Sequence, residues 1–369
     1  MSDYGDFKGK IYMSNTYDTT PAAARVANAA TVGLPTGLQS STTIAKRRFI
    51  VLALNALTYG ALLAGAWHVA AAGGVTIVDA VMFVCFAIGS PWAVLGFWNA
   101  VIGLWLLHGH SDPVEAVAPF AFAGDRDDPL FIKTAVLLTL RNEDPLRAME
   151  RLRTVKRSID ATGQGQAFSY FVLSDTNDNS VAKREEDAFN AWLGGDPDSE
   201  RIHYRRRDDN TGFKAGNVRD FVEQWGHDFE LMLPLDADSL MSGDAVVRMT
   251  RMMQAHDRIG ILQSLVVGMP SQSAFARVFQ FGMRHGMRSY TMGQSWWVAD
   301  CGPFWGHNAL VRIAPFKDDC ALPKLPGKAP LGGDILSHDQ VEATFMRRAG
   351  YEVRVLPFEN GSWEENPPT

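Results

Sequence analysis

The chain has 369 residues, enough for one large domain or two ordinary ones, and a formal net charge of −6, which gives no case for nucleic-acid binding. Its three cysteines, Cys85, Cys301 and Cys320, contain no C-x-x-C pair, which argues against zinc or redox use and suits a reducing compartment. Charge is unevenly placed, and residues 49–107 carry almost none.

In chain order, residues 1–45 are rich in Ala, Thr, Ser and Gly without apolar periodicity and read as a disordered cytoplasmic tail. Residues 49–72 hold no Lys, Arg, Asp or Glu, and residues 81–107, interrupted by Pro91, form a second such run. Each exceeds the roughly 20 residues a helix needs to cross the hydrocarbon core. With Gly73-Gly74 and Asp79 between them, residues 46–108 are expected to form a two-helix transmembrane hairpin. Lys46-Arg47-Arg48 precedes the first span, so the positive-inside rule puts the N-terminus in the cytoplasm and returns everything after His108 to that side. Residues 109–130, with Asp125, Asp127 and Asp128, read as a linker.

From residue 131 the pattern alternates. Strands are expected at Thr134–Leu140, 168–173, 202–205 and 230–235, with helices at 145–162, 181–193, 217–225 and 340–349. Such alternation implies an α/β fold with a mostly parallel sheet, whose ligands bind at the carboxyl ends of the strands. Phe275, Val278, Phe279, Gly282, Met283 and Met287 recur at helical spacing, with Arg277, Arg284 and Arg288 elsewhere, as in a core-packed or membrane-interface helix. Arg205-Arg206-Arg207, followed by Asp208 and Asp209, reads as a solvated basic face.

The strand ending at Leu235 runs into Asp236-Ala237-Asp238-Ser239. Side chains at i and i+2 of a strand point the same way, so both carboxylates can converge on one ligand. At about 5 Å apart they repel by roughly 3 kcal/mol at an effective dielectric of about 20. A divalent cation removes that cost, and Mg²⁺ is commonly held by one or two carboxylates plus substrate phosphates. This suits a sugar-nucleotide transferase; on the triplet alone, two solvated acids at a strand end are the competing reading.

Further motifs follow in order: Asn142-Glu143-Asp144 after the first strand, Asp175 after the second, Lys214-Ala215-Gly216-Asn217, the Asp236/Asp238 pair, Trp305-Gly306-His307-Asn308-Ala309, and His338-Asp339. Together they resemble a family 2 glycosyltransferase with a GT-A-type nucleotide-sugar-binding domain over residues 131–369. Tyr204-Arg205-Arg206-Arg207, Met346-Arg347-Arg348-Ala349-Gly350 and Ser362-Trp363-Glu364-Glu365-Asn366-Pro367-Pro368 narrow the likeness to the glucan biosynthesis glucosyltransferase H family of Gram-negative bacteria. That resemblance implies a multi-pass inner-membrane enzyme with its catalytic domain in the cytoplasm. It would transfer glucose from UDP-glucose, with inversion, to the β-1,2-linked backbone of osmoregulated periplasmic glucans. It implies Asp339 as general base, Asp238 and Asp236 as ligands of Mg²⁺ or Mn²⁺, and Glu143, Asp175, Lys214, Asn217 and Asp236 as the nucleotide-sugar-binding set. The implied partners are the UDP-glucose donor, a glucan acceptor, the lipid bilayer and periplasmic glucan-modifying proteins. The family continues into an Arg-Arg-Trp-x-Gln-Gly motif and further spans, whereas this chain stops at Thr369, so it is expected to be C-terminally truncated. A cellulose- or hyaluronan-type synthase and a non-catalytic UDP-sugar-binding fragment are the alternatives.

Overall fold

The computed structural model describes residues 37–328 and 332–365. Most of the expected N-terminal tail, and the last residues of the Glu-Glu-x-Pro-Pro segment, lie outside them.

Two long helices open the described chain, α1 (Ser41–Ala71) and α2 (Ile77–Gly109). Both start before the charge-free runs do, because caps rather than hydropathy decide where a helix begins. The Ser40 hydroxyl accepts the Thr43 amide at the start of α1, and Thr76 and Asp79 form a capping box at the start of α2. Helix α2 continues through Pro91 instead of breaking there. Tyr59 donates to the Ala87 carbonyl (2.9 Å) and the Trp98 indole to the Thr58 hydroxyl (3.0 Å), which ties the two helices together. Leu57, Trp67, Val69, Ile88 and Trp92 remain exposed along them. Both helices are long and apolar enough to cross a membrane, and these bare flanks do not suit the interior of a soluble protein.

The segment expected as a linker is packed instead. It forms α3 (Pro113–Val117) and a 3-10 turn at Pro119–Asp125, with Phe120 and Ala121 buried. The helix α7 (Gly243–Ala255) holds its acids, through Arg248 to Asp125 (2.5 Å) and Arg251 to Asp127 (3.1 Å). Phe120, which stands ahead of these acids, anchors the segment in the core.

Among the described residues the strands form one eight-stranded sheet, in the order β3-β2-β1-β4-β7-β6-β8-β5. Its strands are β1 (Thr134–Leu140), β2 (Phe168–Ser174), β3 (Ile202–Arg206), β4 (Leu231–Leu235), β5 (Leu240–Met241), β6 (Ile259–Gly268), β7 (Ala309–Arg312) and β8 (Glu352–Glu364). β3, β2, β1 and β4 run parallel, as expected; β7 is antiparallel to both β4 and β6, and β8 returns parallel to β6. Along β1, Val136 and Leu138 join a core with Leu152 and Ile159 of α4 (Pro145–Asp160) and Met249 of α7. Ala135 and Leu137 join a second core with Phe221 of α6 (Phe213–Gln224), Phe316 of α9 (Ile313–Asp319) and Met346 of α10 (Asp339–Arg348). Alternate residues thus feed opposite cores, which is why these strands read as continuous apolar runs. Helix α5 (Asn179–Leu193) follows β2, and Phe189 and Trp192 from it enter the first core.

Helix α8 (Ala274–Val298) joins the sheet domain to the apolar pair. A side chain at Gly103 of α2 would collide with the Ser289 carbonyl, and one at Gly293 would collide with the Asn99 carbonyl, so the two backbones meet through glycines. The Trp297 indole donates to the buried Asn99 amide oxygen (2.9 Å). The N-terminal half of α8 leaves Phe275, Val278, Phe279 and Phe281 exposed, which rules out packing into the core there. Arg47 and Arg48, expected as a topology signal, have a place in the fold: they donate to the Trp296, Trp297 and Val298 carbonyls at the end of α8, and Arg48 pairs with Asp300 (2.6 Å).

Candidate active site

Register brings the parallel strands to a common edge. Leu140 of β1 lies level with Ser174 of β2, which lies level with Arg206 of β3, and Leu138 lies level with Leu235 of β4. The residues that follow each strand therefore meet in an open cleft of about 570 Å³. Glu143, Asp175, Lys214, Asn217, Asp236 and Asp238 all line it. Asp339, the expected base, does not.

The Asp236–Asp238 turn is built to hold its shape. The Asp236 amide donates to the Ser239 hydroxyl (3.2 Å), and the Ser239 amide donates back to the Asp236 carbonyl (3.0 Å). Arg151 of α4 donates to the Ala237 carbonyl (2.7 Å), and the Glu365 amide to the Asp238 carbonyl (3.2 Å). The Asp236 carboxylate is ion-paired with Lys214. Close by, Glu364 has its carboxyl pushed up, first by burial and then by the charges of Asp238 and Asp236, with His307 at 3.8 Å opposing this. Among the described residues no group of three or more His, Cys, Asp or Glu converges to form a metal site. The two aspartates fit a divalent cation whose remaining ligands are substrate oxygens.

The expected nucleotide-side residues divide into two kinds. Glu143 is exposed at the cleft mouth, where it accepts the Arg141 amide. Asp175 is buried, and Arg207 grips both its oxygens at 2.7 Å. The solvated basic face expected at 205–207 is thus corrected: Arg207 is buried and also bonds Asp220 (3.0 Å) and the Thr211 and Phe213 carbonyls. Arg205 bonds Asn217, and Arg206 donates to the Thr176 carbonyl (2.9 Å). Burial pulls the Arg207 guanidinium down, but Asp175 and Asp220 outweigh it and hold the pKa above its ordinary value. Asn217 is buried with both ends of its amide committed, Nδ2 to the Leu173 carbonyl (3.0 Å) and Oδ1 to Arg205. It fixes α6 against the end of β2 and so sets the place of Lys214 one turn earlier.

Asp339 begins α10, with His338 as the cap residue. Lys214, which lines the cleft, also lines a small cavity of about 10 Å³ shared with Gly306, His338 and Glu342. Gly306, at φ +77°, lies so near Asp339 that a side chain there would strike its carboxylate. The buried His338 places Nδ1 3.0 Å from Glu342 and 3.3 Å from Asp339.

Residues 142–319 match the family model described as Glycosyl transferase family 2. The chain is 38% identical over 351 residues to the glucans biosynthesis glucosyltransferase H of Bradyrhizobium diazoefficiens, covering 94% of this chain and 45% of that protein. The protein of the same name from Caulobacter vibrioides is 40% identical over 300 residues, covering 80% of this chain and 44% of its own length. The chain belongs to the glucans biosynthesis glucosyltransferase H family. It spans about 45% of the length of these relatives. Its mostly parallel sheet is of the GT-A type, preceded by the two apolar helices. Among solved structures, a Pyrobaculum calidifontis mannosyltransferase aligns with a TM-score of 0.44 and 16% identity, over 73% of this chain and 69% of that one.

Arg207 and Glu185, which support the residues of the cleft from beneath, are among those that escape sequence reasoning. Arg207 sits in a run that looks solvated. Glu185 sits in the charged run Lys183-Arg184-Glu185-Glu186-Asp187, yet it is wholly buried and accepts the hydroxyls of Ser174 (2.6 Å), Thr176 and Tyr204 (3.2 Å) beneath the β2 end. Only its place on the inward face of α5, four residues before Phe189, distinguishes it.

The His338–Glu342 pair predicts a pH dependence. Burial pulls the His338 imidazolium down, but the hydrogen bond to Glu342 and the charges of Glu342 and Asp339 outweigh it, and its pKa sits above the ordinary value. A raised folded-state pKa contributes stability that is complete below about pH 6.5 and is lost as pH rises through the folded value. The melting temperature should therefore fall with rising pH above that point, and His338→Gln should flatten the slope. An equal slope in both proteins would rule out this source.

Proposed function

We propose that this chain carries the donor-binding and base-bearing part of an inverting glucosyltransferase. It would move glucose from UDP-glucose to a growing β-1,2-glucan at the bacterial inner membrane, with its sheet domain on the cytoplasmic side. The observation that supports this best is the meeting of Asp236, Asp238, Lys214 and Asp175 in one cleft at the carboxyl ends of parallel strands. The two acids suit a metal–diphosphate, Lys214 adds a cation beside them, and Asp175 with Glu143 offers acceptors to the uracil and ribose.

Asp238 and Asp236 would hold Mg²⁺ or Mn²⁺, which when bound neutralises the departing diphosphate. Lys214, now on Asp236, is within reach of the same phosphate charge. Asn217 keeps Lys214 in place, and Arg207 keeps Asp175 in place. Asp339 takes the proton of the acceptor hydroxyl as its oxygen bonds to the sugar carbon opposite the leaving UDP. The closeness of Gly306 keeps one side of the Asp339 carboxylate free of any side chain.

UDP-[¹⁴C]glucose supplied to membranes holding this chain, or a form extended to the length of its relatives, tests the reading. UDP release with labelled β-1,2-glucan is the expected result, and linkage analysis separates it from a cellulose-type product. Stripping divalent metal with EDTA should abolish turnover, and Mn²⁺ or Mg²⁺ should restore it. Metal-dependent UDP binding without turnover in either form would favour a binding module instead.

A further inference from the structure

The least expected residue on the cleft wall is Phe213. A phenylalanine ring 40% exposed on a polar wall is unusual, and its backbone adopts φ +52°, in the left-handed region that disfavours bulky residues. Such a conformation persists only where its surroundings impose it, and it is a reason to look for a function. Here the surroundings are specific. The Phe213 amide donates to the Asn210 carbonyl (3.0 Å), and its carbonyl accepts from Arg207 (3.0 Å), the same guanidinium that grips Asp175. The buried ion pair thus aims the ring into the cleft.

Arg141 faces it, with its guanidinium carbon 5.2 Å from the ring centroid. Arg141 is exposed and sits on the loop after β1, next to Asn142, which is also left-handed at φ +64°. Two loops that line the cleft thus present two flat groups to each other. Glu143, Asp144 and Asp175 line the same cleft and supply acceptors for ring N–H groups.

We propose that Phe213 and Arg141 form a clamp for the planar base of a nucleotide, which inserts between ring and guanidinium. This rests on the nucleotide-sugar reading above and adds to it the residues that recognise the base. A ring stacked on both sides needs its neighbours roughly 7 Å apart, twice the base-stacking distance of about 3.4 Å. The pair must therefore open by about 2 Å, which the long, exposed Arg141 side chain can supply while Phe213 stays fixed. Stacking on an aromatic ring contributes to nucleic-base binding whatever the base, and a guanidinium adds cation–π attraction. The carboxylates then favour a base with a ring N–H.

The test uses the full chain in detergent with Mn²⁺ and two probes, UDP and inorganic diphosphate. Phe213→Leu and Arg141→Ala should each weaken UDP binding by at least about fivefold and leave diphosphate binding unchanged. Phe213→Trp should retain UDP affinity and add fluorescence quenching on titration beyond that of the wild type. Unchanged UDP affinity in Phe213→Leu would overturn the clamp, as would equal weakening of both probes. Tighter UDP binding in Arg141→Ala would make the arginine a competitor and overturn its half of the proposal. A wild-type chain that binds diphosphate but not UDP would instead sink the nucleotide-sugar reading on which the clamp depends.

Discussion

Asp339→Asn is expected to lower glucosyl transfer by about 10²–10⁴-fold while leaving UDP binding nearly intact. The asparagine keeps the size and one acceptor oxygen of the aspartate but cannot take a proton. Asp339 lies outside the cleft lining, so the nucleotide side should not notice the change. Its carboxylate has 28% of its surface exposed, and its position in the first turn of α10 adds only about 0.3–1 kcal/mol of helix-dipole stabilisation, so the fold should survive. Transfer from labelled UDP-glucose and equilibrium UDP binding, measured on the same preparation extended to the relatives' length, separate the two effects. Near-normal turnover would remove Asp339 as the base; loss of UDP binding would show that it acts on the donor instead.

How far the sequence alone leads depends on where each polar side chain faces. β1 occurs at the residues expected for it, because an uncharged, mostly apolar run between Lys133 and Arg141 permits few alternatives. The helix after it is equally legible, since Asp144 caps it, accepting the Leu146 amide, and Pro145 opens it. β8 is hidden for the opposite reason. Glu352 and Arg354 interrupt its apolar pattern, yet both are buried and neutralise each other at 2.6 Å. The same blindness affects the site. Lys214 and Asn217 appear as one motif, but the structure gives them different work, one facing an acid in the cleft and the other turned inward to Leu173 and Arg205. Spacing shows that residues share a helix; it does not show which of them point into the cleft. The aspartate pair is legible as a motif, but β4 ends at Leu235, so the two-residue strand period does not orient it; the turn is shaped instead by Ser239, Arg151 and the Glu365 amide.

Arg207→Met should cost about 3–5 kcal/mol of stability, because it leaves Asp175 as a buried, unpaired carboxylate. The methionine fills much of the vacated space but offers no N–H to Asp175 or to the Thr211 and Phe213 carbonyls. The damage should extend beyond stability, because the loop that Arg207 holds leads directly into Phe213 and Lys214 on the cleft wall. Denaturant melts and UDP titrations together expose both effects. Adding Asp175→Leu to Arg207→Met removes the orphaned charge and should recover much of the lost stability, since apolar replacements of buried ion pairs are often well tolerated. UDP binding should not return in that double variant, because the acceptor at the end of β2 and the fixed loop are both gone. A single Arg207→Met variant within about 1 kcal/mol of wild type would mean that the pair behaves as a solvated surface contact. Full recovery of UDP binding in the double variant would mean that Asp175 and Arg207 serve only the fold.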